Sequence, residues 1–102
     1  MSTLHTVNKS PFATETMLSC LNHCVDGDAV LMIEDGVYGA LANSRISEAV
    51  QAKVGSVALF VLGPDAEARG LNQDKCLSDV GRVDYDGFVD LVTQHDRTQA
   101  WL

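Results

Sequence analysis

The sequence predicts an α/β fold, a three-layer α/β/α sandwich around a mostly parallel sheet of four or five strands. Two apolar runs, Ala29–Ile33 and Val57–Leu62, show no alternation of polar and apolar residues. Such runs are typical of strands that are covered by protein on both faces. Strand centres recur at intervals of about 25 residues with helical segments between them, which leaves room for the crossovers that parallel strands require. With 102 residues, the chain is expected to form a single domain, residues 1–102.

The first strand and the first helix are predicted before residue 28. Leu4–Val7 has the composition of a short strand. Ser10 is suited to cap a helix and Pro11 to its first turn, and we expect this helix to run to about Cys24. Four of its residues share one apolar face, namely Met17, Cys20, Leu21 and Cys24. Gly27 is suited to the left-handed conformation that often ends a helix.

The second predicted strand, Ala29–Ile33, is the element around which the chain is organised. It stops abruptly at Glu34, Asp35 and a glycine. In open α/β sheets, ligands and partners usually bind at the carboxyl ends of the strands. We therefore expect Ile33–Tyr38 to form the rim of the functional edge.

The middle of the chain predicts two helical pieces, a third strand and a short helix. The helical pieces are Val37–Ala42 and Arg45–Lys53, and Val57–Leu62 is the third strand. Ala66–Gly70 has the composition of a short helix that ends in glycine. Leu71–Gly81 shows no clear period, so we expect it to be irregular.

The last third predicts a weak fourth strand, Val80–Tyr85, and a final helix, Gly87–His95. Asp86 is positioned to cap this helix, whose inward-facing residues are predicted as Phe88, Leu91 and Val92. The tail Asp96–Leu102 is polar until Ala100 and shows no pattern of a helix or strand. Its Trp101 is expected either to pack on its own domain or to face a partner.

Composition excludes several classes of function. Fourteen acidic and seven basic residues give a formal charge of −7, and an acidic chain without a basic cluster is unsuited to bind nucleic acid directly. The apolar runs are too short to span a membrane, and the N-terminus has no pattern of a secretory signal. Three cysteines, an odd number, favour reduced thiols in the cytoplasm over a disulfide framework.

The cysteines are the first candidates for chemistry. Cys20, His23 and Cys24 occupy neighbouring helical positions, as metal ligands could, but the two cysteines also belong to the apolar face. We therefore expect buried thiols and no metal. As a reactive thiol, Cys20 lacks a nearby cation. Cys76 follows Lys75 in the irregular segment, where an exposed cysteine without a function is the simpler interpretation.

Other motifs give little support for catalysis. Glu34 and Asp35 could form an acid/base pair or half of a cation site, but we interpret them as a solvated strand exit. The sequence contains no glycine-rich phosphate loop, no CxxC and no GxSxG, so no cofactor is expected. We interpret His5 as a strand residue that is hydrogen-bonded by its neighbours, and Tyr38 as an aromatic residue of the rim.

Segments from the whole chain together resemble the DsrH/TusB family. They occur in the family's order, and they are Leu4–Phe12, Gly27–Val37, Ala68–Leu71, Val83–Val89 and Ala100–Trp101. The resemblance implies a cytoplasmic subunit of a sulfur-relay complex. Such a complex is a dimer of trimers of related α/β chains, two of them DsrE- and DsrF-like, and it passes sulfur as a cysteine persulfide to a small carrier of the DsrC/TusE type.

The resemblance also implies where the chemistry resides. The main sulfur-accepting cysteine is expected on a sister subunit, which makes this chain an accessory subunit. Cys20 matches a cysteine that is typical of the sulfur-oxidation branch, so the sequence favours that branch and makes Cys20 the candidate persulfide-forming thiol. The alternative branch serves 2-thiolation of the tRNA wobble uridine. A stand-alone flavodoxin-like domain that binds a small ligand is a further alternative.

Overall fold

A computed structural model describes residues 2–102 and shows a five-stranded, entirely parallel sheet in the order β4-β3-β2-β1-β5. The strands are β1 Thr3–Val7, β2 Ala29–Met32, β3 Ala58–Leu62, β4 Gly81–Val83 and β5 Arg97–Trp101. The helices are α1 Thr16–His23, α2 Ser47–Gln51, α3 Gly63–Ala68 and α4 Tyr85–Gln94. Short 3₁₀ helices cover Glu34–Ala40 and Gln73–Lys75. The predicted α/β class is confirmed.

The two faces of the sheet are covered unequally. On one face, α1, α2, α3 and the first 3₁₀ helix contribute to a large apolar cluster with strand residues such as Val7, Val30 and Met32. On the other face, α4 contributes Leu91 to a smaller cluster around Leu31. The sheet therefore lies between a thick helical layer and a layer that is built around a single ten-residue helix.

Several predicted helix boundaries are wrong at their N-terminal ends. Helix α2 begins at Ser47 and not at Arg45, and α3 begins at Gly63 and not at Ala66. The first helix begins at Thr16 and not at Pro11. The carbonyl oxygen of Ser10 accepts the Ala13 and Thr14 N–H groups at 3.1 and 3.2 Å, which closes a turn. Arg45 binds the Phe12 carbonyl oxygen at 2.7 Å and holds this loop away from the helix.

The last helix also begins earlier than predicted, because Asp84 and not Asp86 is its cap. The Asp84 carboxylate accepts the Gly87 N–H at 2.8 Å, as capping residues do with the free N–H groups of a first turn. The fourth strand consequently ends at Val83, before the predicted Tyr85. Val92, predicted to face inward, is 41% exposed.

The C-terminal tail forms a strand that the sequence did not predict. Arg97–Trp101 pairs in parallel with β1, and Trp101 lies opposite Val7. Four of the five residues are exposed, so this edge strand shows no apolar pattern. Trp101 itself packs against the large apolar cluster. Of the two environments expected for this residue, packing on its own domain is the one observed.

Close packing explains the glycine that follows the second strand. Gly36 lies in the 3₁₀ helix, and a Cβ at this position would overlap the carbonyl oxygen of Val7 and lie 2.8 Å from its carbonyl carbon. The 3₁₀ helix can therefore rest on the end of β1 only because residue 36 has no side chain. This contact places the Glu34–Ala40 segment at the carboxyl edge of the sheet.

Candidate functional site

Cys20, the candidate persulfide-forming thiol, lies in the large apolar cluster on one face of the sheet. Its side chain is on the inner face of α1 and is 0% exposed. Interaction with the Cys24 thiol, burial and the negative charge of Asp28 all raise the pKa of Cys20 far above that of a free thiol. In this conformation Cys20 is therefore a buried, protonated thiol, as expected for a cysteine of an apolar helix face.

His5 links β1 to the C-terminal edge strand. Its Nε2 lies 2.9 Å from Oδ2 of Asp28, and the Trp101 indole N–H donates to its Nδ1 at 3.0 Å. Because an indole nitrogen can only donate, Nδ1 must be the acceptor, so the ring carries its proton on Nε2 and donates it to Asp28. The interpretation of His5 as a satisfied strand residue is confirmed.

Asp28 is the buried acceptor that organises this region, and the sequence analysis did not single it out. Its carboxylate also accepts the Thr3 N–H at 3.0 Å and the Val25 N–H at 3.2 Å. Burial acts to raise the pKa of Asp28, but the hydrogen bonds from His5, Val25 and Thr3 outweigh it and hold that pKa below its ordinary value of 3.8. An ionised carboxylate therefore fastens the start of β1 to the end of α1.

Within residues 2–102, the two helical cysteines meet His5 and not the neighbouring His23. The side-chain ligand atoms of His5, Cys20 and Cys24 all lie within 4.8 Å of one another. His23 is exposed, and its ring lies 6.2 Å from that of His5 and 5.6 Å from that of Trp101, centroid to centroid. We call His5, Cys20 and Cys24 the thiol–imidazole cluster.

One ion pair and one hydrogen bond to α3 and the residue that follows it fix the predicted rim at the end of β2. Glu34 adopts a left-handed conformation with φ of 49°, and its N–H donates to the Asp65 carboxylate at 2.7 Å. Arg69 Nε lies 2.9 Å from Oδ1 of Asp35. Because both side chains of the predicted acid pair are exposed and Asp35 is paired with a cation, this geometry supports the interpretation as a solvated strand exit.

Cys76 is the most accessible of the three cysteines. It is half-buried beside a cavity of about 400 Å³, and Nη2 of Arg82 lies 3.7 Å from its sulfur. The same guanidinium nitrogen donates to the Leu71 carbonyl oxygen at 2.8 Å, which fixes its position. This thiol has a cation beside it, which neither the sequence position of Cys76 nor that of Arg82 indicated.

Helix α4 carries an exposed apolar stripe on its outer side. Tyr85, Val89 and Val92 are 59%, 61% and 41% exposed, and their spacing places them on one side of the helix. We call these three residues the α4 stripe. Contiguous exposed apolar surface is typical of sites where proteins associate.

The structure also bears on membrane insertion. Among residues 2–102, no helix is both long enough and apolar enough to cross a lipid bilayer.

The chain is similar to known proteins along nearly its whole length. Residues 9–98 match the family model described as "DsrH like protein". "Protein TusB" of Pectobacterium parmentieri is 39% identical over 99 residues, which are 96% of this chain and 99% of the relative. "Protein TusB" of Shigella flexneri is 33% identical over 98 residues, with the same coverage of both chains.

Solved structures support the fold. The ychN protein from E. coli superposes with a TM-score of 0.81 at 12% identity and covers 98% of this chain and 99% of its own. A protein of unknown function from Methanobacterium thermoautotrophicum superposes with a TM-score of 0.69 at 18% identity, over 91% of this chain and 90% of its own. At these identities the structures show the fold alone, whereas the family model and the TusB relatives show the family. The chain belongs to the DsrH/TusB family.

Proposed function

We propose that this chain is the TusB-like accessory subunit of a cytoplasmic sulfur-relay complex that serves 2-thiolation of the tRNA wobble uridine. The observation that carries the proposal is full-length similarity to relatives named TusB, at 39% and 33% identity over 96% of the chain. The sulfur-oxidation branch, which the sequence analysis favours over tRNA thiolation, rests on Cys20 alone. The relatives do not favour it.

The environment of Cys20 supports an accessory role for this subunit. In persulfide transfer a thiolate attacks the outer sulfur of the donor persulfide, and the donor cysteine leaves as a thiolate, without net oxidation or reduction. Cys20 offers neither an ionised sulfur nor access, because it is 0% exposed and its pKa is raised by Cys24 and burial. This environment supports placing the principal sulfur-accepting cysteine on a sister subunit, as the family resemblance implies.

The contribution of this chain to the complex is assembly. The α4 stripe offers an apolar surface on the thinly covered side of the sheet, and Phe88 and Leu91 of the same helix anchor it to the core. Two homologous α/β chains, in a dimer of trimers, are the partners that the family resemblance implies. A small sulfur carrier would then dock on the assembled complex, and no RNA contact by this acidic chain is needed.

Gene deletion in the native organism tests this function. We expect the 2-thiouridine content of tRNA, measured by mass spectrometry of nucleosides, to fall at least tenfold. The wild-type gene and a Cys20→Ser variant should both restore it, since Cys20 is not the relay thiol. Unchanged thiouridine together with impaired oxidation of reduced sulfur compounds would instead establish the sulfur-oxidation branch and overturn the proposal.

Cys20 as a sulfur carrier is the second candidate, and its match to the sulfur-oxidation branch favours it. After polysulfide treatment of the native complex, a carrier would show sulfur adducts on peptides containing Cys20. We expect adducts on a sister subunit and none on Cys20. Adducts that disappear in Cys20→Ser, together with failure of that variant to restore function, would make this chain a carrier.

A further inference from the structure

We propose that His5, Cys20 and Cys24 bind one Zn²⁺ ion, an activity separate from the relay function proposed above. The three ligand atoms come from β1, from α1 and from the residue that directly follows α1, and they lie within 4.8 Å of one another. The residues are 1%, 0% and 8% exposed. The fold therefore gathers two sulfur donors and one imidazole in one enclosed place.

The donor set and its spacing fit zinc. Thiolate and imidazole are the ligands that Zn²⁺ takes in proteins, at distances that place neighbouring ligand atoms of a tetrahedral site about 3.4–3.8 Å apart. The observed limit of 4.8 Å means that the ligand atoms must approach one another by at most about 1.0–1.4 Å to reach this spacing. Side-chain rotation of Cys20 in α1 and of Cys24, the residue directly after the helix, can supply such a movement.

The surroundings of His5 resemble those of a zinc-bound histidine. Metal-bound histidines commonly donate their second ring N–H to a carboxylate, which fixes the tautomer and the orientation of the ring. Here Nε2 of His5 donates to Asp28 at 2.9 Å, and Nδ1 keeps its lone pair and accepts from Trp101 at 3.0 Å. An ion that takes the Nδ1 lone pair replaces the Trp101 N–H, while the bond to Asp28 persists.

Charge and access are both compatible with an ion at this place. Coordination releases the Cys20 and Cys24 thiol protons to solvent, and two thiolates neutralise Zn²⁺ without any oxidation or reduction. A cavity of about 250 Å³ is lined in part by His5, His23 and Asp28, so solvent approaches the imidazole member of the cluster.

The experiment uses the full-length chain, purified without sister subunits so that its own three cysteines are the thiols present, after removal of metal by a chelator. Zn²⁺ is titrated against a colorimetric competitor, and Co²⁺ is used as a spectroscopic substitute. The Cys76→Ser variant retains only Cys20 and Cys24 of the three cysteines. A thiolate-to-cobalt charge-transfer band in this variant must therefore come from the cluster, even if the cluster variants themselves fail to fold.

We expect one Zn²⁺ per chain, a charge-transfer band in wild type and in Cys76→Ser, and a change in fluorescence of Trp101, the one tryptophan of the chain. Cys20→Ser and Cys24→Ser should each weaken Zn²⁺ binding by more than about 100-fold, since even second-shell changes cost about 10–100-fold. His23→Asn is the matched control and should bind Zn²⁺ like wild type. Absence of the band from Cys76→Ser, or loss of binding in His23→Asn, would overturn the proposal.

Discussion

Replacement of Asp28 by asparagine tests the hydrogen-bond network that joins Asp28 to Thr3, His5 and Val25. The substitution keeps the shape of the side chain but replaces one acceptor oxygen by an NH₂ group. If the amide oxygen takes the place of Oδ2, the NH₂ group faces the Thr3 N–H; if it takes the place of Oδ1, the NH₂ group faces the His5 Nε2–H and the Val25 N–H. Either orientation leaves at least one buried donor unsatisfied.

The expected loss follows from the groups involved. Hydrogen bonds to charged groups contribute about 1.5–3 kcal/mol, and an unsatisfied buried donor costs about 1–3 kcal/mol. We expect the free energy of unfolding to fall by about 3 kcal/mol, which corresponds to a decrease in Tm of roughly 12–24 °C for a domain of this size. The measurement is urea and thermal denaturation at neutral pH in the presence of a metal chelator.

The same variant should change the dependence of stability on pH. The pKa of Asp28 is lower in the folded chain than its ordinary value of 3.8, so its contribution is complete above that value and is lost as the pH falls through the folded pKa. Wild type should therefore lose more stability on acidification than Asp28→Asn does. Asp26, an exposed aspartate two residues away, provides the control substitution Asp26→Asn. Equal stability of Asp28→Asn and Asp26→Asn would refute the reasoning.

Two further predictions concern packing and thiol access. Gly36→Ala should lower the free energy of unfolding by about 3 kcal/mol or more, because overpacking against backbone is not easily relieved. The control is Gly55→Ala, at a position with a positive φ but open space, and it should lower the free energy of unfolding by only about 1–2 kcal/mol. Equal losses of the two variants in urea denaturation would contradict the steric account. In the native protein, iodoacetamide should modify Cys76 at least tenfold faster than Cys20, because Cys76 is half-buried beside Arg82 whereas Cys20 is fully buried. Peptide mass mapping measures both rates, and faster reaction at Cys20 would show that α1 opens readily.

The layered α/β fold could be predicted because its central strands are apolar on both faces. Ala29–Met32 and Ala58–Leu62 lie in the middle of the sheet, where burial on both sides leaves a continuous apolar signature. The edge strand Arg97–Trp101 could not be found in this way. Its residues are mostly exposed, and its pairing with β1 depends on backbone hydrogen bonds that the side chains do not encode.

The candidate site was predicted only in part, because its contacts join distant parts of the chain. The helical spacing of Cys20 and Cys24 was readable, but the third member of their cluster is His5 from β1 and not the adjacent His23. Nothing in the local pattern around Asp28 indicates that it is buried and bound to His5. A buried carboxylate directly before an apolar strand is a signal that could have identified it.

The helical pattern alone does not reveal the α4 stripe, because the helix has apolar residues on more than one side and the pattern does not show which side faces the core. Leu91 does face the core, whereas Val89 and Val92 face outward. This surplus of apolar positions on a single covering helix is the feature on which the proposed role in assembly rests. Monomeric soluble proteins rarely expose contiguous apolar surface of this kind.

The most direct test of the central claim is purification of the affinity-tagged chain from its native host, with a pair of matched valine variants. Val89 in the α4 stripe and Val25 in the loop after α1 are 61% and 62% exposed, so Val89→Glu and Val25→Glu differ in location and not in accessibility. Our account predicts that wild type and Val25→Glu recover two homologous sister chains in equal amounts. It also predicts that Val89→Glu recovers at least tenfold less, which corresponds to about 1.4 kcal/mol of lost association free energy. Recovery of the wild-type chain alone, as a stable monomer, would contradict the account.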